Sequence, residues 1–406
     1  MAGSIGEAYR ENYEGMMNAL RNERIALAIE RATAGYRQNV SKALTKYPHT
    51  VALADEVRKI KERSVERLES LLKEAMDNIA ENRGQAYFAK TADEARRIVG
   101  EIVGSKKAVV KAKSLTCEEI DLRQHLQELG NEVWETDLGE LIVQLRDEAP
   151  MHILSPAIHV PKEDVAELFS KAMGKQIPPE IAVEVAAARE FLRQRYVEAD
   201  IGISGANIVS ADTGSLFIIE NEGNARLCTG LPPVHIAVVG IEKLVPTLAE
   251  GFKVAETTWR YAQYTVPSYM NLISGPSKTG DIEKTTTYGA HGPKEMHVVF
   301  VDNGRSMMAK DPVLREALYC LRCGGCMYEC PVFALVGGKF GYKYFIGYGA
   351  AWVAYVSGLA RAAPVAYTCL RCARCVERCP VKIDTGSIIS RLRTLLVKGH
   401  DQFEKP

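Results

Sequence analysis

Two stretches near the C-terminal end decide how this chain is read: CLRCGGCMYECP at residues 320–331 and CLRCARCVERCP at residues 369–380. Each spaces its cysteines as C-x2-C-x2-C-x3-C-P, through Cys320, Cys323, Cys326 and Cys330 in the first run and Cys369, Cys372, Cys375 and Cys379 in the second. Three thiolates two residues apart can wrap a tight turn around one [4Fe–4S] cubane and leave one iron open. The fourth, set off by a longer gap and a proline, reaches the other cluster. The pattern therefore predicts one cluster on Cys320, Cys323, Cys326 and Cys379, and a second on Cys369, Cys372, Cys375 and Cys330. Zinc sites and disulfide frameworks are the competing readings. Zinc patterns usually set C-x2-C pairs far apart, and disulfide frameworks belong to short secreted chains, so the double match argues for clusters and electron transfer. The two remaining cysteines, Cys117 and Cys228, are expected to pack as small buried hydrophobes.

At 406 residues the chain has room for two or three domains. Hydrophobic residues make up 47% and charged residues 25%, an ordinary mix for a folded protein. Lys plus Arg equals Asp plus Glu at 51 each, so no overall field draws the chain to nucleic acid or anionic lipid. The first ten residues carry no apolar stretch of the secretory kind, and free thiols with oxygen-sensitive clusters suit a reducing cytoplasm. Residues 344–360 form a run of seventeen uncharged residues. It falls short of the ~20 apolar residues a spanning helix needs, and it joins two motifs that must share clusters. A packed helix pair, or a docking surface with Tyr348, Trp352 and Tyr355 as anchors, is the expectation there.

Upstream, residues 1–84 read as helices. Val57, Ile60, Val65, Leu68, Leu71, Leu72 and Met76 recur on one stripe, Pro48 interrupts the pattern and Gly84 stops it. From about residue 85 short apolar runs alternate with helical stretches. Strands are expected at 107–111, 132–135, 151–156, 199–203, 216–220, 234–239 and 297–301, with helices at 118–129 and 183–196. Strands interleaved with helices argue for an α/β domain with a largely parallel sheet. The expected division is an N-terminal helical region over 1–84, the α/β domain over 85–305 and a helical two-cluster domain over 306–406.

Several glycine-studded polar loops punctuate the α/β domain: 137–140, 202–207, 211–215, 221–226 and 274–281. Glycine lets backbone amides approach an anion closely, and such loops at the carboxyl ends of parallel strands are where α/β folds bind ligands. Ordinary turns share that composition. Asn207, Thr213, Ser215, Glu222, Asn224 and Arg226 are the candidates for holding a ligand or cofactor. No GxGxxG or P-loop is present, and His152, His159, His235, His291 and His297 form no metal-binding or catalytic pairing, so no catalytic residue is assigned.

The stretches Glu135-Thr136-Asp137-Leu138-Gly139-Glu140, Pro156-Ala157-Ile158-His159, Gly202 to Asn207, Thr213-Gly214-Ser215 and Asn221-Glu222-Gly223-Asn224-Ala225-Arg226 together resemble the LUD domain. So do His235-Ile236-Ala237-Val238-Val239-Gly240-Ile241-Glu242-Lys243 and His291-Gly292-Pro293-Lys294-Glu295. Followed by twin cluster motifs, the chain is similar to the lactate utilization protein B family over most of its length. The resemblance implies a Rossmann-like α/β fold of the NagB/RpiA/CoA-transferase-like group, joined to a helical ferredoxin domain like that of succinate-dehydrogenase-type iron–sulfur subunits. It implies an iron–sulfur subunit of a multi-subunit complex that oxidises L-lactate or a related 2-hydroxy acid to pyruvate, not a stand-alone NAD-dependent enzyme. Any flavin is then expected on a partner subunit, the acceptor is quinone-linked or ferredoxin-like, and the place is the cytoplasm or the inner membrane face. The rival reading is an adaptor carrier, with the LUD domain as a non-catalytic scaffold between a dehydrogenase subunit and its acceptor. Relatives commonly run further past the second motif, and the stretch between the motifs is unusually aromatic here, which leaves partner identity open.

Overall fold

The computed structural model describes residues 4–398. Its strands are β1 (Gln85–Ala89), β2 (Ala108–Lys111), β3 (Glu132–Glu135), β4 (Ile201–Ser204), β5 (Ile208–Ser210), β6 (Ser215–Glu220), β7 (Val234–Gly240), β8 (Leu244–Val245), β9 (Tyr269–Ile273), β10 (Lys278–Thr279), β11 (Thr287–Tyr288) and β12 (Glu295–Val301). Six of them form one sheet in the order β1-β12-β7-β4-β2-β3, with every pairing parallel. Near-continuous apolar runs suit a sheet covered on both faces. Val109, Ile203, Ile236, Val238 and Val299 bury against the helices Ala92–Val103 and Leu122–Glu128. Their alternates Ala237, Val239, Val298 and Phe300 face the helix Leu68–Glu81. Gly202 lets the helix Asn224–Gly230 lie directly on β4, because a Cβ there would stand 1.8 Å from the Cys228 carbonyl oxygen.

A second sheet, β8-β5-β6-β9, closes over part of the first, and β10 and β11 make a small antiparallel pair. The N-terminal region is four helices, Ile5–Leu20, Glu23–Lys46, His49–Glu66 and Leu68–Glu81. The first begins with a capping box between Ser4 and Glu7. The first two pack on the cysteine-bearing C-terminal helices, the third on the helix Leu248–Tyr261, and the fourth on β1 and β8. Beyond Val301 the chain is helical again, with Ile346–Ser357, Leu359–Thr368 and Thr385–Lys398 as its longest elements. One apolar core runs without a break through Ile29, Ile60, Phe217, Val254, Phe333, Trp352 and Ile388. It joins the N-terminal helices, the second sheet and the cysteine-bearing region.

The structure departs from the sequence reading at three places. Residues 151–156 form a bent loop, not a strand, because their backbone pairs with no neighbouring strand. The stretch at 118–129 is two helices, Leu115–Glu119 and Leu122–Glu128, broken where Asp121 takes a left-handed φ of 51°. The uncharged run is a helix pair, in which Tyr348 and Trp352 are buried and Tyr355 is half-buried, so Tyr348 and Trp352 are core rather than a docking face. Among the described residues no helix is long and apolar enough to cross a membrane.

Candidate iron–sulfur centres and the adjoining cavity

The two cysteine runs share one local build. The first cysteine of each ends a helical segment, Leu314–Tyr319 or Leu359–Thr368. The chain then passes through left-handed backbone at Arg322 (φ 60°) and Gly324 (φ 76°), matched by Arg371 (φ 54°) and Ala373 (φ 64°). A one-turn helix follows, Gly325–Glu329 or Arg374–Arg378, and leads to the fourth cysteine. Arginine and alanine hold such backbone at a cost that persists only where surroundings enforce it. The turns aim backbone N–H groups at sulfur: Arg322 N donates to Cys320 Sγ at 3.4 Å, Val332 and Phe333 to Cys330, and Val381 and Ile383 to Cys379.

The thiols ring two openings. Cys320, Cys323, Cys326 and Cys379 surround one of about 20 Å³, with Cys375 beside them. Cys330, Cys369, Cys372 and Cys375 surround the other, also of about 20 Å³. Among the described residues no three His, Cys, Asp or Glu side chains converge on a single metal-ion position. The second opening depends on Gly347, where a Cβ would come within 2.9 Å of Cys369 Sγ. Burial pushes the Cys330 and Cys379 thiols up to about 11, a cost that binding to iron as thiolates removes. Sulfur donors and N–H bonds to sulfur fit an iron–sulfur group at both openings; Cys323 of the first is buried, and Cys372 of the second is exposed.

A buried charge network lies beside Cys320. The Arg305 guanidinium donates to Glu119 Oε1 and Oε2 at 2.9 and 2.8 Å, and to Glu242. Glu119 also accepts from Tyr344 Oη and from Asn303 Nδ2 at 2.7 Å. Lys61 donates to the Glu242 carbonyl, and Arg322 Nη2 stands 3.6 Å from Glu242 Oε1. Burial alone would raise the Glu242 carboxyl, but Arg305, Lys243 and Arg322 outweigh it and hold it down at about 2. A second network lies behind β2, where buried Lys111 donates to Glu135 at 2.8 Å. Burial pushes the nearby Glu118 up to about 7 and raises Glu140 as well.

Between the parallel sheet and the first cysteine ring is a cavity of about 260 Å³. It opens at the carboxyl ends of β2 and β4, where the chain stops building outward through β3 and returns through β4 towards β7 and β12. A reversal of strand order is the usual ligand position in such sheets. Three of the six candidate loop residues line it: Asn207, Glu222 and Asn224. Asn207 Oδ1 accepts from Ile219 N at 2.8 Å, Asn224 Nδ2 donates to Thr136 Oγ1 at 3.3 Å, and Glu222 accepts from Leu138 N at 3.2 Å. The other three lie elsewhere. The Thr213 hydroxyl bonds Ser210 at 2.5 Å and the Ser215 hydroxyl bonds Ser274 at 2.6 Å. Exposed Arg226 stacks over the Tyr269 ring at 4.1 Å. Residues that loop composition did not single out complete the cavity, notably Lys113, Lys243, Trp259 and Arg322. The signal for Arg322 was present, since it lies between two cysteines of the first run. His152 and His235 are fully buried and held neutral, pushed down to about 3 and about 4 by burial, and His235 bonds the Ser204 hydroxyl at 2.8 Å.

Comparison with known proteins agrees with this architecture. Residues 72–301 match the LUD domain family and residues 316–383 match the 4Fe-4S dicluster domain. Lactate utilization protein B of Shouchella clausii is 38% identical over 332 residues, covering 80% of this chain and 66% of that protein. Lactate utilization protein B of Bacillus subtilis is 36% identical, over 83% of this chain and 69% of that protein. An uncharacterized electron transport protein of Escherichia coli, YkgF, is 35% identical over 77% and 64%. The chain thus spans about two thirds of the length of these relatives. A crystal structure of a DUF162 family protein from Deinococcus radiodurans aligns with 58% of this chain and 98% of its own, at 14% identity and a TM-score of 0.33. With a LUD domain on a parallel sheet and an iron–sulfur dicluster domain packed against it, the chain belongs to the lactate utilization protein B family.

Proposed function

We propose that the chain is the electron-transfer subunit of a complex that oxidises L-lactate, or a related 2-hydroxy acid, to the 2-oxo acid. It would hold two [4Fe–4S] clusters, one on Cys320, Cys323, Cys326 and Cys379 and one on Cys369, Cys372, Cys375 and Cys330. The observation that carries this is the crossing of the motifs. Each opening is ringed by three cysteines of one run and the fourth of the other, and Cys375 borders both. Two clusters so placed would make a short wire, each passing one electron at a time. Oxidation of a 2-hydroxy acid releases two electrons, so a two-electron cofactor such as a flavin belongs on a partner subunit. The cavity beside the first ring, with Asn207, Glu222 and Asn224 in its wall, is the place for a ligand on this chain.

The test is metal and redox analysis of the anaerobically purified protein and of its assembled complex. The chain should hold about eight iron and about eight sulfide, as two cubanes require. Cys330→Ser should damage the cluster nucleated by Cys369, Cys372 and Cys375. Loss of the other cluster instead would overturn the crossed ligation. L-Lactate should reduce both clusters in the complex. Reduction by another donor alone would replace this reading with the adaptor carrier.

A further inference from the structure

The polar groups around the interdomain cavity are unequally satisfied. Its carboxylates are all engaged. Glu242 is bound by Arg305, and Asp137 accepts from Lys113 Nζ at 2.8 Å and from Glu140 N at 3.1 Å. Glu220 accepts from Ala225 N, Arg226 N and Asn271 Nδ2, and Glu222 from Leu138 N. Three donors are not. Arg322, whose side chain is only 9% exposed, stands 3.6 Å from Glu242 and over the Tyr344 and Trp352 rings at 4.8 and 4.3 Å, but its buried Nη1 has no hydrogen-bond partner. The buried Trp259 Nε1 also has none. Half-buried Lys243 makes no hydrogen bond or close ion pair among the described residues, and it is the charge of Glu242 that chiefly offsets its burial. All three line this one cavity. A buried donor left unpaired costs about 1–3 kcal/mol, more if charged, so donors without acceptors in one cavity mark the place of an acceptor.

We propose that the cavity binds a small carboxylate anion, with Lys243, Arg322 and Trp259 holding the carboxylate and Ser204 and Asn207 facing its hydroxyl or keto oxygen. This rests on the electron-transfer reading for its substrate class, a 2-hydroxy or 2-oxo acid, but the anion site stands on the donors alone. The consequence is coupling. Arg322 sits between Cys320 and Cys323, and its own N–H bonds Cys320 Sγ, so bound anion and first cluster share one loop. Negative charge placed there disfavours adding an electron to that cluster. Binding and reduction are therefore linked, and the anion binds the oxidised protein more tightly.

The experiment uses the full chain with both clusters, and pyruvate as a probe that does not turn over. Calorimetry should show one pyruvate bound per chain. EPR-monitored potentiometry should show that saturating pyruvate lowers the potential of the Cys320 cluster and leaves that of the Cys369 cluster in place. Lys243→Met and Arg322→Gln should each weaken binding roughly 10- to 100-fold, the loss expected for one charge-assisted contact. Because Arg322 belongs to a cluster loop, Lys243→Met with unchanged iron content is the decisive variant. Wild-type affinity in Lys243→Met, or tighter binding of inorganic phosphate than of pyruvate, would overturn the assignment. So would the absence of pyruvate binding alongside a potential shift in Lys243→Met, which would mean that the cations only compensate cluster charge. If pyruvate fails to bind while L-lactate still reduces the clusters of the complex, only this site falls. If the chain takes up no iron, the electron-transfer reading falls, and pyruvate binding to the iron-free chain still decides the site.

Discussion

Replacing Arg305 by methionine tests whether the sheet and the cluster region are joined by charge. Arg305 is completely buried and makes four hydrogen bonds: two to Glu119, one to Glu242 and one to the Asp302 carbonyl. Its guanidinium also lies 4.9 Å from the Trp352 ring centre. Methionine fills much of the same volume, so the loss is electrostatic rather than a cavity. Glu119 would keep the neutral donors Tyr344 and Asn303, and Glu242 would keep Arg322 at 3.6 Å. Removing one partner of a buried pair typically costs about 3–5 kcal/mol, and the surviving donors place this case near the lower end, about 3 kcal/mol. Against a usual total of about 5–15 kcal/mol, that is a large share. The assay is urea unfolding of the anaerobic holoprotein, followed by far-UV dichroism and by cluster absorbance together. Pairing Arg305→Met with Glu119→Gln should recover part of the loss, since the stranded carboxylate is then neutral. The sign with pH follows from Glu242. Its carboxyl is held below its ordinary value, so its contribution is present above about pH 4.5 and is lost as pH falls towards 2. The variant should therefore differ most from the parent at neutral pH. A loss under about 1 kcal/mol, or no recovery in the double variant, would mean that charge does not join the sheet to the cluster region.

Glu118→Gln should stabilise the protein by roughly 1–3 kcal/mol at pH 8 and have little effect at pH 4.5. The fold raises this carboxyl to about 7 by burial, so the wild type loses stability as pH rises through that value; unfolding at several pH values reads the difference. Gly347→Ala should cost the second cluster and spare the first, lowering iron from about eight to about four per chain. Trp352→Ala should destabilise the holoprotein by about 3–5 kcal/mol in urea unfolding, as a buried aromatic does, instead of merely loosening a partner. Arg226→Ala should leave pyruvate affinity within about twofold and cost no more than the ~0.5–1 kcal/mol of an exposed cation–π contact.

The cluster motifs, the parallel sheet and most strand positions were legible because each rests on local pattern. Cysteine spacing sets which thiols can share one turn, and runs such as Val234–Gly240 are strands wherever two covered faces exist. Residues 151–156 misled because an apolar run states a wish for burial and not a pairing partner. Here the chain is buried as a loop: the Met151 backbone packs on Gly338, and His152 Nδ1 accepts from Leu154 N and Ser155 N. The aromatic run misled for a related reason. Tyr348 and Trp352 are residues that anchor interfaces, but the interface they fill is internal, since Trp352 Nε1 donates to the Ala317 carbonyl.

The candidate ligand site divides along the same line. Glycine-rich loops marked the carboxyl edge of the sheet, and Asn207, Glu222 and Asn224 do meet there. Composition did not separate them from Thr213 and Ser215, whose hydroxyls are spent on Ser210 and Ser274. Read alone, the chain gave away its twin cysteine motifs, its α/β and helical halves and its family. The tertiary fold brought Lys243, in the short 3-10 turn Ile241–Lys243 after β7, together with Trp259 and Arg322 in one cavity. It likewise buried Arg305 between Glu119 and Glu242. The reason is physical. Spacing along the chain governs what a few consecutive residues can do, but whether a charge is paired depends on elements folded against it from far away in sequence.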